Sequence, residues 1–222
     1  MKTFIVYWHP EPQSFNAAMF QTACETLTTA GHEVKTSNLY ELQFDPVSSR
    51  KNFATVKAPN YLRLQIEEMH AAEVNGFTEE IETEIEKIEW CDLMIWQFPL
   101  WWFGLPAVLK GWVDRVLAMG RAYGGGRVYQ SGVFGGKRAL LSLTTGGSED
   151  AFRAGGFNGD LAGILRPIHR GILQFVGFAV LAPQVVYGPV RLTDEQRKRA
   201  LTAYANRLQV IGSESPIDVG RY

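Results

Sequence analysis

The chain opens on a continuous apolar run, Phe4-Ile5-Val6-Tyr7-Trp8, of the kind a strand covered on both faces requires. From Ser14 to Ala30 the apolar residues Phe15, Ala18, Met19, Ala23 and Leu27 recur at helical spacing, with Ser14 placed to cap the helix and Gly31 to stop it. Glu33 to Leu39 reads as a second short strand. Between Glu79 and Trp90 an acidic segment puts Ile81, Ile85 and Ile88 on one face and predicts a helix. Leu93 to Phe98 is a third strand, apolar on both faces but for Gln97. Leu105 to Leu117 predicts a helix with Pro106 in its first turn. Arg138 to Leu143 is a fourth strand, Leu161 to Phe175 a helix containing Pro167, and Ala179 to Tyr187 a fifth strand. Thr193-Asp194-Glu195-Gln196 is a capping box that opens a last helix, running to Ile211.

Strands that alternate with helices and are apolar throughout predict the α/β class, a parallel sheet with helices on both faces. Five such strands match the doubly wound, flavodoxin-like arrangement, in which ligands bind beyond the carboxyl ends of the strands. One domain over residues 1–211 is expected. Residues 40–78 fit no single element and are too long for a plain loop, which marks them as an excursion with irregular and helical parts. Residues 212–222 form a C-terminal tail, expected to be a loose end.

Charge narrows the partners. Lys plus Arg number 22 against 23 Asp plus Glu, a net charge of -1 over 222 residues, which argues against nucleic acid or an anionic membrane. Cys24 and Cys91 are too few for a disulfide framework and read as buried thiols in a reducing compartment. The opening apolar run is too short for a signal peptide or a membrane span, so a cytoplasmic location is expected. Aromatics are another matter: three of the 6 Trp fall between Trp96 and Trp102, a concentration that suggests a flat aromatic surface.

Several chemistries fail on the residues. His9-Pro10-Glu11-Pro12-Gln13-Ser14 stands where a dinucleotide-binding glycine triplet would follow the first strand, and no Walker A motif is present. Gly147-Ser148-Glu149 lacks the second glycine of a nucleophile elbow. His9, His32, His70 and His169 are scattered, with no metal-ligand spacing. Three loops at the carboxyl ends of strands one, three and four remain. Ser14-Phe15-Asn16 opens a helix and can bind a phosphate, or can simply cap it. Pro99 to Pro106 sets Leu100, Trp101, Trp102 and Phe103 between prolines and a glycine, which suits the edge of a planar ring better than a core. Thr144-Thr145-Gly146-Gly147-Ser148 can present consecutive N–H groups to an anion, or can be an ordinary turn. Together they point to a flat, phosphate-bearing ligand, and a flavin meets both requirements.

The run Gln97 to Leu117, QFPLWWFGLPAVLKGWVDRVL, resembles the signature of the NAD(P)H quinone oxidoreductases, the group called DT-diaphorases. The resemblance continues through Leu143 to Ser148, through Asp160 to Pro183, and in the spacing of His9 to Asn16. It is weakest over residues 40–78, although Asp45-Pro46 and Ser49-Arg50 fit, and mammalian members carry an extra C-terminal segment. The resemblance implies a homodimer that binds FAD, with FMN left open, and takes a hydride from NADPH or NADH. It then reduces a quinone in a two-electron, ping-pong reaction. The flavin diphosphate falls at His9, Ser14, Phe15 and Asn16. The ring falls along Pro99, Leu100, Trp101, Trp102 and Phe103 on one side and Thr144, Thr145, Gly146 and Gly147 on the other. Arg197 matches an arginine near the adenosine, and Trp102, Phe103, Tyr123 and Tyr129 line the pocket for nicotinamide and quinone. Mammalian members of the family carry a tyrosine and a histidine after the Thr-Thr-Gly-Gly turn, thought to relay charge and a proton. Counting from Gly147, those places fall on Phe152 and Asn158, so the relay is altered here. The same chain also suits an azo- or nitro-reductase or a regulatory subunit of a membrane transporter. A strongly acidic electron carrier is disfavoured by the net charge.

Overall fold

The computed structural model describes residues 1–220. Its strands are β1 (Lys2–Tyr7), β2 (Glu33–Asn38), β3 (Leu93–Pro99), β4 (Arg138–Thr145), β5 (Ala179–Val180) and β6 (Gln184–Tyr187). The helices are α1 (Phe15–Thr29), α2 (Leu64–Val74), α3 (Glu79–Trp90), α4 (Ala107–Val116), α5 (Leu161–Ile168) and α6 (Asp194–Val210). All pairings are parallel, in the order β2-β1-β3-β4-β5, with β6 also paired to β4. This is the flavodoxin-like order, and it reverses at β1, which sends the chain to β2 on one side and β3 on the other.

Alternation along each strand builds two cores. Phe4, Val6, Met94, Trp96 and Phe98 pack on one face with α3, α4 and α5, while Ile5, Leu93 and Ile95 pack on the other with α1 and α6. Trp96 therefore belongs to the core, edge-on to Trp112 at 6.0 Å, and is no part of the aromatic surface that the tryptophan concentration suggested. Among the described residues no helix is long and apolar enough to cross a membrane.

Four expectations are corrected. The fifth strand is broken into β5 and β6, because Pro183 lies between them and lacks the N–H a ladder needs. Helix α4 starts after Pro106, whose backbone is extended (ψ 148). The helix through Pro167 is α-helical only to Ile168 and widens into a π-helix over His169–Gln174, since proline neither donates to the preceding turn nor fits against it. The described part of the tail, residues 212–220, is docked: Ile217 N–H donates to the Val180 carbonyl at 2.8 Å and Arg207 pairs with Glu214 at 2.7 Å, while residues 221–222 of the expected tail lie outside the described residues.

The excursion carries α2, whose buried residues include Glu67 and Glu68. Glu67 accepts the Lys57 and Ala58 N–H groups at 2.7 and 2.8 Å, and Glu68 accepts that of Met119 at 2.8 Å.

At the start of the π-helix, His169 is buried, its Nε2 without a partner, and burial pushes its pKa down to about 4. The unfolded chain takes up this proton near the ordinary value of about 6.5. Stability is therefore full above that pH and is lost as pH falls towards 4, by about 2 kcal/mol at pH 5. Urea midpoints of the native chain and of His169→Leu at pH 7 and pH 5 check this. The variant is expected to lose less on acidification, and equal losses would refute it.

Candidate active site

The carboxyl ends of β1, β3 and β4 enclose a groove of about 880 Å³. The first wall is the start of α1. Ser14 does cap the helix, its Oγ accepting from Ala17 N–H at 3.1 Å. Capping leaves the Phe15 and Asn16 N–H groups without acceptors among the described residues, and the first turn holds no acidic side chain to repel an anion. His9 lines the groove beside them, and its Nδ1 accepts the Glu11 N–H at 3.0 Å. The same Nδ1 lies 3.2 Å from the Glu11 carbonyl, and burial lowers the ring's pKa. The Asn16 amide donates to Thr144 Oγ1 and accepts from Gln97, each at 2.8 Å, tying α1 to the ends of β3 and β4.

The second wall is aromatic. Pro99 closes β3, and Leu100 N–H donates to the Thr144 carbonyl at 2.8 Å. A tight turn follows, closed by Gly104 N–H on the Trp101 carbonyl at 3.0 Å. Its two central residues, Trp102 (φ 51) and Phe103 (φ 57), are left-handed. That conformation costs a bulky L-residue about 1–2 kcal/mol, a strain typical of functional loops. It leaves Trp102 98% exposed, while Trp101 stands edge-on to Trp8 at 5.1 Å. Phe103 turns towards Phe152, at 6.3 Å.

The third wall is the turn after β4. The Thr145 carbonyl accepts Gly188 N–H at 2.9 Å, the Gly146 carbonyl accepts Arg191 Nη1 at 2.7 Å, and the Gly147 carbonyl accepts the Thr145 hydroxyl at 2.9 Å. With three successive carbonyls taken, the N–H groups of Gly146, Gly147 and Ser148 have no acceptor among the described residues. Phe152 and Asn158 do lie against this turn. A Cβ on Gly147 would meet Asn158 Nδ2 at 2.9 Å and Phe152 Cε2 at 3.0 Å.

Arg197, in the first turn of α6, lines the far end of the groove and donates to the Pro189 carbonyl at 2.9 Å. Pro189, Val190, Gln13 and Ala18 also line the groove without having been singled out in the sequence. Tyr123 and Tyr129 lie outside the groove of their own chain. Their loop folds back onto the π-helix, where both rings stand edge-on to Phe175 at 5.7 and 5.4 Å and Arg170 covers Tyr129 at 3.9 Å. The left-handed glycines Gly120, Gly124, Gly125 and Gly126 make that reversal.

The chain is similar to known proteins. A family model described as the flavodoxin-like fold matches residues 1–210. The chain is 42% identical to ribosyldihydronicotinamide dehydrogenase [quinone] of Rattus norvegicus, over 97% of its own length and 94% of that protein. It is also 42% identical to NAD(P)H dehydrogenase [quinone] 1 of Cavia porcellus, over 97% of its length and 79% of that protein. A crystal structure from Klebsiella pneumoniae superposes with a TM-score of 0.94 at 37% identity, covering 98% of this chain and 87% of that one. The chain belongs to the flavodoxin-like family and, within it, to the NAD(P)H quinone oxidoreductases.

Proposed function

We propose that this protein is a flavin-dependent NAD(P)H:quinone oxidoreductase. The observation that carries the reading is one groove lined by Phe15 and Asn16, whose N–H groups are unpaired, by the exposed indoles of Trp101 and Trp102, and by Gly146, which begins a second unpaired N–H run to Ser148. A phosphate suits the first N–H pair and the electron-rich edge of a reduced ring the second run. When bound, the flavin supplies the chemistry of accepting a hydride from a nicotinamide and passing it to a quinone.

The chain's own residues then have separable roles. The Phe15 and Asn16 N–H groups and the His9 ring would hold phosphate oxygens. Leu100, Trp101 and Trp102 would hold one side of the ring, and Thr144, Thr145, Gly146 and Gly147 the other. The Gly146 and Gly147 N–H groups are fixed before reaction and stabilise developing negative charge without reorganising. The groove runs on past α1 to Pro189, Val190 and Arg197, which offers an adenosine an apolar ledge and a cation and favours FAD over FMN. Tyr123 and Tyr129, turned away from their own groove, serve that of a second copy in a homodimer. Free Cys24 and Cys91, their thiols pushed up to about 11 and about 12 by burial, suit a reducing, cytoplasmic setting.

The test is direct. Purified protein should carry one flavin per chain, identified by mass after release, and should reduce soluble quinones. Turnover is compared with NADH, NADPH and dihydronicotinamide riboside as donors, since relatives named for both donor types are equally similar. Protein that holds neither FAD nor FMN would defeat the proposal.

Phe152 has no proton to give and Asn158 does not titrate, so flavin reduction should be nearly independent of pH between about 6 and 8. The double change Phe152→Tyr with Asn158→His should speed flavin reduction and introduce a titration near pH 6.5. Stopped-flow measurement of flavin reduction checks this. A histidine-like titration already present in the native chain would contradict it.

A further inference from the structure

The turn after β4 is held by a charge that the fold does not otherwise use. Arg191 closes a short turn after β6 that starts at left-handed Gly188 (φ 53), and its Nη1 reaches the Gly146 carbonyl at 2.7 Å. Gly188 leaves the guanidinium its room, because a Cβ there would stand 3.2 Å from Arg191 Nη1. No carboxylate among the described residues lies within ion-pair distance of Arg191, whereas nearby Arg197 is matched by Asp194 and Arg153 by Asp150. The Gly146 carbonyl is the one hydrogen-bond partner of this guanidinium among the described residues.

That peptide joins Gly146 to Gly147. In a planar trans peptide the carbonyl and the N–H point in opposite directions. A guanidinium that draws the Gly146 carbonyl to one side thus turns the Gly147 N–H to the other, where no protein acceptor meets it. A charged donor on the oxygen also pulls electron density from the nitrogen and strengthens the N–H as a donor, as hydrogen-bonded chains polarise one another.

We propose that Arg191 is a positioning residue for the reduced flavin: it orients and polarises the Gly146–Gly147 peptide so that the Gly147 N–H stabilises negative charge on the ring. The assignment rests on the flavin reading above and adds a residue outside the groove to it. It also supplies a fixed positive charge beside a turn whose neighbours, Phe152 and Asn158, carry none.

The experiment measures the midpoint potential of the bound flavin, which reports the ratio of affinities for its reduced and oxidised forms. Arg191→Gln keeps a neutral donor, and Arg191→Lys keeps the charge. Arg191 is exposed, so both variants should fold, which thermal melts check. The Gln variant is expected to favour the reduced form about tenfold less, a fall of about 30 mV for a two-electron couple, and the Lys variant to stay within about threefold of native. A role in shape alone would weaken both flavin forms equally and leave the potential unmoved, and that result overturns the assignment. Native protein that holds no flavin defeats the functional reading and this one together, whereas Gln protein with flavin at the native potential defeats this one alone.

Discussion

Gly111→Ala is expected to cost about 3 kcal/mol by overpacking and to lower Tm by about 9 °C. Helix propensity alone gives the opposite sign, because alanine in a helix interior outranks glycine by about 1 kcal/mol. The difference is a backbone contact. Gly111 lies in α4 where the excursion crosses it, and a Cβ there would fall 2.3 Å from the Pro46 carbonyl oxygen and 2.4 Å from its Cα. Neither atom can swing aside as a side-chain tip would. The segment is pinned around that crossing, since Arg115 donates to the Asp45 carbonyl at 2.6 Å and to Asn52 at 2.8 Å and pairs with Glu80 at 2.9 Å. Thermal melts decide the matter, and an unchanged or higher Tm would refute the contact.

The second large effect separates stability from function. Trp102→Asn should weaken flavin binding by about 1–3 kcal/mol, roughly 5- to 150-fold, by analogy with stacking of a base on an aromatic side chain. The same change should raise folding stability by about 1 kcal/mol, because asparagine tolerates the left-handed backbone that tryptophan occupies under strain. Little packing is lost with the indole, which is 98% exposed in the single chain. Fluorescence titration of the apoprotein with FAD and a denaturant melt provide the two readings. Loss of both binding and stability would show that Trp102 is a structural residue.

Strands β1, β3 and β4 were legible because burial on both faces leaves uninterrupted apolar runs, unlike the polar edge strand β2, and helices α1 and α6 because Ser14 and Thr193 sit at their starts as the capping rules require. Helix α2 was expected only as an unplaced helical part of residues 40–78, for a definite reason. It turns Glu67 and Glu68 inward to hold loop N–H groups and leaves Ile66, Met69 and Val74 exposed, so its pattern reads inside out. At the site, the three loops were visible as glycine- and proline-marked strand ends. Gln97 had a signal that went unused, a lone amide in an apolar strand. Arg191 had none, since its partner lies 45 residues away in the chain. Tyr123 and Tyr129 were grouped with the pocket by resemblance, and only the folded loop shows that they face elsewhere.

The parallel register of β1 also shapes how the chain is made. This strand is synthesised before β2 and β3, yet it lies inside the sheet, paired to both. At about 5–20 residues per second, synthesis reaches the end of β3 some 5–20 s later. For that interval Phe4-Ile5-Val6 has at most one of its two neighbours, and an apolar strand with an open edge is a template for pairing with other chains. The time between translation of β1 and of β3 is thus the period in which this protein most needs a chaperone or slow, dilute expression.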